Sequence, residues 1–571
     1  MEMELNILLY LEKRRALFHM KDACEYFLDQ LDDKTVWKFP PLRYLLEVDV
    51  MYLFEIFPEL GDFLLKEPLK WQRYCSDILF ACLKSLDHDM MQHVQPTQVV
   101  VNIRVSSLPS VLYDQKYIKY DNLILLQGLL IDISKPTNYV YHSVWCCPDE
   151  CDGNEIILHY IPKVPPKCYL CNNILYENSG LRRCGDQVKA TFQLKYELLT
   201  KSFTVVDDLI EKLKLGSKYA VHVVVLKKLM SLWSLEEMFT HPAPATTTSP
   251  PDIQKLYYAC DGVPWKFIYC LASSIGVHVR PLNCFMNVKI SILLSLASVK
   301  AHFQSQSPIL HVLAIGLDTG HVARLMTQAA ALADPYTLLG TSQSSVPLAL
   351  IRSSGGVCLL ALPLQSYSQK QIHSILSSIE NRKFSHNSDE NTLGCAVWAQ
   401  GNDLKKITLY NVGNVFGNVC RGDYGENADE LADDNLQNAV NPSEAAEERQ
   451  ALRDISIYLS VVAGIKVSFT EEAELLLHNY FMAARKESPK AVTIGNLGAL
   501  ITSCAMSARL CRRGVAHVQD AIFAIWLHIS GMPEQRFAPR EYLETPADIK
   551  KLDKVMKKFI DWLEQFTGCP I

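Results

Sequence analysis

The stretch ILHVLAIGLDTGHVARLM, residues 309–326, places an apolar run, two glycines and a helical pattern in succession. This is the layout of a phosphate-binding loop, in which backbone N–H groups face the phosphates while a lysine and a Ser/Thr hold the γ-phosphate and Mg²⁺. Val322 and Ala323 stand where the lysine and the hydroxyl residue belong. The sequence therefore predicts the backbone of a phosphate loop without its charged groups.

A second apolar stretch, GGVCLLALPL at residues 355–364, has the character of a buried strand. In an ATPase this strand ends in acidic residues that hold the metal and orient the attacking water. Here Ala361 and Leu362 occupy the two acidic positions. The losses in the two stretches match, so we predict an ATPase-like fold whose catalytic side chains have been replaced.

Length and composition indicate a folded protein of several domains. The 571 residues suggest about three to four domains, and the 49% apolar and 21% charged fractions exclude extensive disorder. A formal charge of −6 excludes a globally basic nucleic-acid binder, so any DNA contact must come from a local patch. The 18 scattered cysteines favour a reducing compartment, and the apolar run at 290–299 is too short to span a bilayer.

Changes in residue pattern along the chain predict five segments. Helical spacing dominates the first ninety residues, β-branched alternation follows up to about residue 230, and a Pro/Thr-rich stretch then precedes alternating strands and helices. An acidic stretch at 421–448 is typical of a surface loop. The predicted domains are a helical N-terminal subdomain (1–95), a barrel (96–238) with a ribbon at 145–173, a linker (239–253), an α/β core (254–450) and a helical region (451–571).

Two close cysteine pairs within the β-rich region predict a metal site. Cys147 and Cys151 are followed, after sixteen intervening residues, by Cys168 and Cys171. Two turns that converge in this way can supply four thiolates to one tetrahedral Zn²⁺, which leaves no open position and makes the zinc structural. Cys146 competes with Cys147 for the first position, and reduced buried thiols remain the alternative. Cys184 lies outside the pattern.

The order of these segments resembles the minichromosome maintenance (MCM) family of hexameric helicase subunits. Residues 43–49 and 57–60 are similar to the family's N-terminal helical segment, residues 101–109 to the strand that opens its barrel, and residues 267–275 with 288–294 to the segment before its phosphate loop. The resemblance implies a multidomain fold: a helical N-terminal subdomain, an OB-fold β-barrel with a zinc-ribbon insertion, and an AAA+ α/β (P-loop-like) module with a C-terminal helical lid.

The family's ATPase residues can be carried over position by position. Gly316 is kept, and Asn402 falls on the sensor asparagine, whereas the lid arginine is replaced by Gly495. Arg421 can be aligned with the trans-acting arginine finger, but the apolar strand that should follow it is missing from the sequence pattern. The degenerate ATP-site positions are Gly316, Val322, Ala323, Ala361, Leu362, Asn402 and Gly495.

The resemblance to a degenerate, meiotic branch of the family implies a nuclear, non-catalytic protein of meiotic recombination. It would act as a scaffold or DNA-associated subunit beside active MCM-family subunits or meiotic recombination proteins, with structural zinc and without ATP or Mg²⁺. Two alternatives stay open: a subunit that completes a partner's ATPase site in trans, and an autonomous single-stranded DNA binder. The second would use cations of the barrel region: Arg182, Arg183, Lys189, Lys195, Lys227 and Lys228.

Overall fold

The chain divides into two compact units, an N-terminal unit (Met1–Met238) and a C-terminal unit (Phe239–Ile571). The sequence also predicts the end of the barrel at residue 238, and all the predicted domain boundaries stay predictions. The computed structural model describes residues 2–570 except 33–38, 87–93, 109–121, 150, 152–154, 195–199, 226–229, 239–247, 277–284, 317–318, 342–344, 388, 403–405, 422–435, 437–444, 533–536, 544 and 547–548. Most of the predicted linker and acidic loop therefore lies outside the described residues.

The N-terminal unit begins with helices and continues with strands. Its elements are α1 (Glu2–Lys13), α2 (Ala16–Asp32), β1 (Leu42–Asp49), α3 (Val50–Ile56), α4 (Pro58–Lys66), α5 (Pro68–Lys84), β2 (Val99–Ser106), β3 (Leu123–Ile133), β4 (Thr137–Cys146), β5 (Ile156–Leu158), β6 (Tyr176–Glu177), β7 (Arg183–Leu194), β8 (Thr200–Val206), β9 (Lys218–Val225) and β10 (Met230–Met238).

The N-terminal helices are bounded by the residues that sequence rules favour. Pro58 and Pro68 open α4 and α5 at the position where a missing N–H costs no hydrogen bond. Asp49 caps α3, since its carboxylate accepts a hydrogen bond from the Tyr52 N–H at 3.2 Å. Trp71 and Leu79 of α5 are fully buried in the apolar core of this subdomain. The predicted helical N-terminal subdomain is thus present, with one exception.

The prediction of helix at residues 43–49 is wrong, because this segment is strand β1. It pairs in parallel with β2 along its whole length, from Leu42 opposite Val99 to Asp49 opposite Ser106. The alternating burial of β2 shows that its β-branched residues fit a pleated, half-buried surface. Long-range pairing with β2 therefore overrides the helical tendency of β1. The prediction that residues 101–109 open the barrel is also wrong, since β2 pairs with β1 outside the barrel.

Five strands close into a small barrel. The pairing runs β3–β9–β10–β8–β7 and returns from β7 to β3; all neighbours are antiparallel except β8 and β10, which pair in parallel. Phe192, Phe203 and Tyr219 fill the interior, with ring centroids 5.7 and 6.1 Å apart. The barrel predicted from the β-branched alternation is confirmed, and β4, β5 and β6 extend from it to carry the cysteines.

The C-terminal unit alternates helices with strands and ends in helices. Its elements are α6 (Pro251–Ala259), α7 (Pro264–Ser273), α8 (Met286–Ser305), β11 (Val312–Ile315), α9 (Thr319–Ala330), β12 (Tyr336–Leu339), α10 (Val346–Arg352), β13 (Val357–Leu360), α11 (Gln369–Asn381), β14 (Lys383–His386), β15 (Asp389–Thr392), β16 (Ala396–Gly401), α12 (Lys406–Phe416), β17 (Val419–Arg421), α13 (Ala445–Val462), β18 (Ser468–Phe469), α14 (Glu471–Glu487), α15 (Ile494–Leu510), β19 (Val515–Ala516), α16 (Val518–Gly531) and α17 (Ile549–Thr567).

The core of this unit is a five-stranded parallel sheet in the order β12–β13–β16–β11–β17. The strands β11, β13 and β16 are buried at every position, as expected for a parallel sheet covered on both faces. Helix α8 contains the long apolar run seen in the sequence and is buried on almost all sides. Within the described residues, no helix is long and apolar enough to cross a membrane.

The C-terminal helices α13 to α17 share one apolar core with the sheet and α8. Thr470 caps α14, since its hydroxyl accepts a hydrogen bond from the Ala473 N–H at 3.3 Å. Arg509 of α15 is buried but satisfied: it donates to the carbonyl oxygen of Ile465 and to the hydroxyls of Ser305 and Ser307 at 2.7–3.0 Å. These bonds tie the helical region to the end of α8.

Two buried histidines make the stability of the C-terminal unit depend on pH. Burial lowers the pKa of His311 and of His528 to about 4. The Val397 N–H donates to the Nδ1 atom of His311 at 3.0 Å, and the Nδ1 atom of His528 lies 2.8 Å from the Tyr480 hydroxyl. Because the usual pKa is about 6.5, the unfolded chain takes up protons before the folded chain does as the pH falls. Stability is therefore fully present above about pH 6.5 and is lost as the pH falls towards 4.

We expect each of these histidines to contribute a loss of roughly 1–2 kcal/mol between about pH 7.5 and about pH 5, measured as the free energy of unfolding in urea. His311→Asn should reduce this pH dependence, whereas the same substitution at His373, which is exposed on α11, should leave it unchanged. An unfolding free energy that responds to pH in the same way in both variants would contradict this assignment.

Candidate nucleotide site and metal centre

The strand β11 leads into the segment predicted to be a phosphate loop. The Gly316 N–H donates to the carbonyl oxygen of Gly401 at 3.2 Å, which extends the β11–β16 pairing by one step. Leu317 and Asp318 lie outside the described residues, and α9 then begins at Thr319. The strand, glycine and helix thus follow one another as the sequence predicts.

Val322 and Ala323, the two positions predicted to correspond to the phosphate-binding lysine and the metal-binding hydroxyl residue, lie in helix α9. The Val322 side chain is 4% exposed and belongs to the apolar core of the C-terminal unit. Ala323 is half-buried, and its carbonyl oxygen accepts a hydrogen bond from the Thr327 hydroxyl at 2.8 Å. The predicted lysine position is therefore occupied by a core side chain, and neither residue can neutralise a phosphate.

The two acidic positions follow the end of β13. The carbonyl oxygen of Ala361 accepts a hydrogen bond from the Gln400 amide at 3.2 Å. The Leu362 side chain is 44% exposed, while its backbone N–H donates to the Tyr367 hydroxyl at 3.3 Å. An alanine and a leucine offer no side-chain oxygen to Mg²⁺, which prefers carboxylates and phosphate oxygens.

The parallel order β13–β16–β11 brings these positions to one edge of the sheet. Ala361 follows β13, Asn402 follows β16 and Gly316 follows β11, so all three lie at the carboxyl ends of adjacent strands. This edge is where open α/β sheets bind ligands. Asn402 is exposed, and its carbonyl oxygen accepts a hydrogen bond from the Gln365 amide at 3.3 Å.

Gln400 is a polar residue at this edge that sequence reasoning missed. It is 2% exposed, and although its amide nitrogen is bonded to Ala361, its Oε1 atom has no hydrogen-bond partner among the described residues. The sequence did contain a signal for this residue, because a glutamine stands out within the otherwise apolar run of residues 395–401. An amide can orient a water molecule but cannot replace the missing metal-binding carboxylates.

Gly495, the predicted lid position, packs closely against a neighbouring helix. Gly495 lies in the first turn of α15, where a Cβ atom would come within 2.4 Å of the carbonyl oxygen of Asn414. No Cβ atom tolerates so close an approach to backbone. A side chain at this position would therefore force α15 away from α12.

Arg421, the position aligned with the arginine finger, is the last residue of a strand. This strand, β17, pairs with β11, so that Arg421 lies opposite Ile315, and residues 422–435 lie outside the described residues. The Nε atom of Arg421 is buried and has no hydrogen-bond partner among the described residues. An arginine finger must project towards a neighbouring subunit, whereas Arg421 is part of the central sheet of its own subunit.

The cations proposed for single-stranded DNA binding are only partly described. Arg182 donates two hydrogen bonds to the Glu177 carboxylate, at 2.6 and 2.7 Å, and is thereby neutralised. Lys189 is exposed on β7. Lys195, Lys227 and Lys228 lie outside the described residues, so the described part of the barrel carries no demonstrated basic track.

Four cysteine sulfurs converge beside the barrel. Among the residues that the structure describes, the Sγ atoms of Cys147, Cys151, Cys168 and Cys171 all lie within 4.8 Å of one another. The Sγ atom of Cys147 lies 3.7 Å from that of Cys151 and 3.3 Å from that of Cys171. Since Zn–S bonds of about 2.3 Å place tetrahedral sulfurs about 3.8 Å apart, the cluster has the dimensions to hold a metal ion.

The strand β4 decides which cysteine faces the cluster. Cys146 is paired opposite Tyr176 in the ladder, and its Sγ atom lies 4.0 Å from a Glu155 carboxylate oxygen, outside the cluster. Cys147 is the next residue and is buried with Trp145 and Leu175 in the small core of the ribbon. The open choice between Cys146 and Cys147 is therefore resolved in favour of Cys147.

Backbone groups prepare one sulfur of the cluster for the thiolate form. Burial raises the pKa of the Cys168 thiol. Hydrogen bonds lower it by a larger amount: the Cys171 N–H donates to the Cys168 Sγ atom at 3.2 Å, and the Leu170 N–H and neighbouring thiols contribute as well. Together they lower the pKa of Cys168 to about 6. Thiolates are the form in which cysteine binds metal.

Helices ahead of a five-stranded barrel, and a separate α/β unit, fit the fold of an MCM-like protein. A family model described as "MCMDC2, N-terminal domain" matches residues 3–108. Over most of its length the chain is similar to minichromosome maintenance domain-containing protein 2 of Rattus norvegicus, at 23% identity over 91% of this chain and 89% of the relative. The same protein of Mus musculus and of Homo sapiens is 21% identical over 92% of this chain and 90% of the relative.

These matches confirm the resemblance predicted from the sequence. The chain is an MCM-like protein that resembles minichromosome maintenance domain-containing protein 2 along about nine-tenths of its length.

Proposed function

We propose that this chain is a non-catalytic MCM-like protein of meiotic recombination, acting in the nucleus as a scaffold or DNA-associated subunit. In this role it would support homologue pairing and the repair of double-strand breaks towards crossovers. Its partners would be active MCM-family subunits or other recombination proteins. Two observations support the proposal. The chain is similar to minichromosome maintenance domain-containing protein 2 of three mammals, and the residues at its predicted nucleotide site carry no charge.

The observation that carries the proposal is the burial of Val322 in the apolar core. An AAA+ module needs a lysine at this point to neutralise phosphate, and it needs two acids where Ala361 and Leu362 stand. MgATP brings several negative charges, which backbone N–H groups alone compensate poorly. A hydrolysis reaction would also lack the electrostatic stabilisation that supplies most of the rate in phosphoryl transfer.

The sheet order supports the interpretation of the C-terminal unit as a degenerate AAA+ module with a helical lid. Numbered in chain order within the sheet, its five parallel strands lie in the order 2-3-4-1-5, with the glycine loop after the first strand. The helices α14 to α16 occupy the part of the sequence where the family has its lid. We propose that this fold is retained as a platform for assembly.

We also propose that the four-cysteine cluster holds a structural zinc ion. Four thiolates leave no coordination position for water, so the metal would stabilise the ribbon and would not act as a catalyst. The residues that would hold it are Cys147, Cys151, Cys168 and Cys171.

Affinity purification of the tagged protein from meiotic germ cells tests the proposed function. We expect at least one active MCM-type ATPase or meiotic recombination protein to co-purify in a stoichiometric amount, because a scaffold without chemistry of its own acts through its partners. A protein recovered alone from these cells, after mild crosslinking, would contradict the scaffold role.

A reconstituted complex distinguishes the scaffold from a subunit that completes a partner's ATPase site in trans. We expect Arg421→Ala to leave the partner's ATP hydrolysis unchanged, because Arg421 is part of the central sheet. A loss of about 1,000-fold, as arginine fingers produce, would instead establish the trans role.

A further inference from the structure

A cavity lies at the C-terminal end of α15. Its volume is about 240 Å³, and its walls come from Ser249, from α6, from α13 and from the three residues that follow α15. From Gly495 to the end of α15 at Leu510 the helix advances about 22 Å, at about 1.5 Å per residue. The cavity is therefore far from the predicted lid position at Gly495.

The lining of this cavity is aromatic and positively charged. Tyr257 and Tyr258 of α6 and Tyr458 of α13 form its aromatic walls, and Arg512 and Arg513 contribute two guanidinium groups. No aspartate or glutamate among the described residues belongs to the lining. The cavity thus has the charge to receive an anion.

The two arginines differ in how they are already used. Arg513 is held by Asp520, whose carboxylate oxygen lies 2.9 Å from its guanidinium, and that carboxylate also accepts a hydrogen bond from Ser507. Arg512 is exposed and forms no ion pair with the described residues. One positive charge at the cavity is therefore uncompensated.

Arg512 also adopts a backbone conformation that normally belongs to glycine. Its φ angle is +56°, shortly after the end of α15, where helices commonly end in a left-handed glycine. Its N–H donates to the carbonyl oxygen of Arg509 at 2.8 Å, and the Arg513 N–H donates to that of Ala508 at 2.9 Å. Unfavourable backbone conformations of this kind occur often at ligand sites.

A buried hydroxyl points to a missing ligand. Ser249 is 8% exposed and lines the cavity, and its Oγ atom has no hydrogen-bond partner among the described residues. Leaving a buried hydroxyl unpaired is unfavourable, whereas a ligand oxygen in the cavity would satisfy it.

We propose that this cavity binds a phosphate monoester presented by a phosphorylated serine or threonine side chain of a partner protein. Guanidinium groups bind phosphate in a planar, charge-assisted geometry, and a hydroxyl adds a further donor. The volume is below the roughly 300–1,000 Å³ of pockets that enclose drug-sized ligands, so it fits a single side-chain head and not a whole nucleotide. A nucleic-acid strand is disfavoured, because it needs a continuous basic track, and the neighbouring Lys255 is paired with Asp252 at 3.1 Å.

Calorimetric titration of the full chain with N-acetyl-O-phosphoserine methylamide tests the proposal. We expect the phosphoserine amide to bind saturably to the wild-type protein. The unphosphorylated amide should not bind. Arg512→Gly removes the guanidinium and relieves the backbone strain, so the variant should fold well yet bind at least about tenfold more weakly. Arg453→Ala, which removes an exposed arginine of α13 outside the cavity, is the matched control and should bind like the wild type.

Ser249→Ala separates binding from stability. If the hydroxyl is kept for a ligand, this variant should unfold at the same or a higher temperature than the wild type and bind the phosphoserine amide more weakly. A lower unfolding temperature would show that the hydroxyl is already satisfied within the protein and would overturn its assignment.

Two competing probes decide the source of the phosphate. If inorganic phosphate binds as tightly as the phosphoserine amide and with the same dependence on Arg512, the ligand is a free anion. This result would overturn the proposal of a phosphorylated side chain. A single-stranded oligonucleotide whose binding depends on Arg512, without binding of the phosphoserine amide, would overturn it in favour of nucleic acid. An absence of binding by all three probes would overturn the site itself.

Discussion

Replacing Cys168 with serine is expected to release one zinc ion per chain and to unfold the ribbon that extends from β4 to β6. The buried core of this ribbon consists of Trp145, Cys147, Cys168 and Leu175, so two of its four buried residues are themselves proposed ligands. A core of this size cannot hold the fold alone, whereas structural zinc contributes about 10–16 kcal/mol in zinc-finger peptides. Metal analysis of the purified protein, together with near-ultraviolet circular dichroism, measures both effects.

Cys184→Ser is the matched control for the zinc prediction. Cys184 is exposed on β7 and lies outside the cluster, so this variant should keep its zinc and its spectrum. Stoichiometric zinc in the Cys168→Ser protein, or loss of zinc from the Cys184→Ser protein, would contradict the assigned ligands.

Placing an arginine at position 495 is expected to destabilise the C-terminal unit by about 3 kcal/mol, because overpacking a close backbone contact costs about 1–3 kcal/mol and sometimes more. The Cβ atom alone would approach the carbonyl oxygen of Asn414 to 2.4 Å, so α15 must move away from α12 to admit it. The free energy of unfolding in urea measures the loss. Gly495→Arg should therefore impair the fold without recovering nucleotide binding.

Gly498→Arg provides a close comparison. Gly498 lies less than one turn further along the same helix, and a Cβ atom there would meet nothing within 4 Å. Since arginine favours helix over glycine, this variant should be as stable as the wild type or up to about 1 kcal/mol more stable. Equal stability of the two variants would show that the contact with Asn414 does not restrict position 495.

Local patterns in the sequence predicted several parts of the fold. The strand–glycine–helix order around Gly316 follows from apolar periodicity and is present. The barrel strands were visible as β-branched alternation. The convergence of Cys168 and Cys171 with the first cysteine pair followed from spacing alone, since two short turns can meet at one ion.

Features that depend on long-range packing could not be predicted in this way. The strand β1 is defined by its pairing with β2, which lies far along the chain, with Leu42 opposite Val99. Likewise, the choice of Cys147 over Cys146 depends on the register of β4 against β6. The close approach of Gly495 to α12 and the place of Arg421 beside β11 arise only when distant elements pack together.

The retention of an ATPase-like fold after loss of its chemistry is the central claim, and equilibrium binding of MgATP to the purified full chain tests it most directly. We predict no saturable binding of MgATP at millimolar concentration and no hydrolysis above that of the buffer. Saturable, magnesium-dependent binding that is abolished by Gly316→Val would contradict the claim, because it would show that the loop after β11 still holds nucleotide without its lysine.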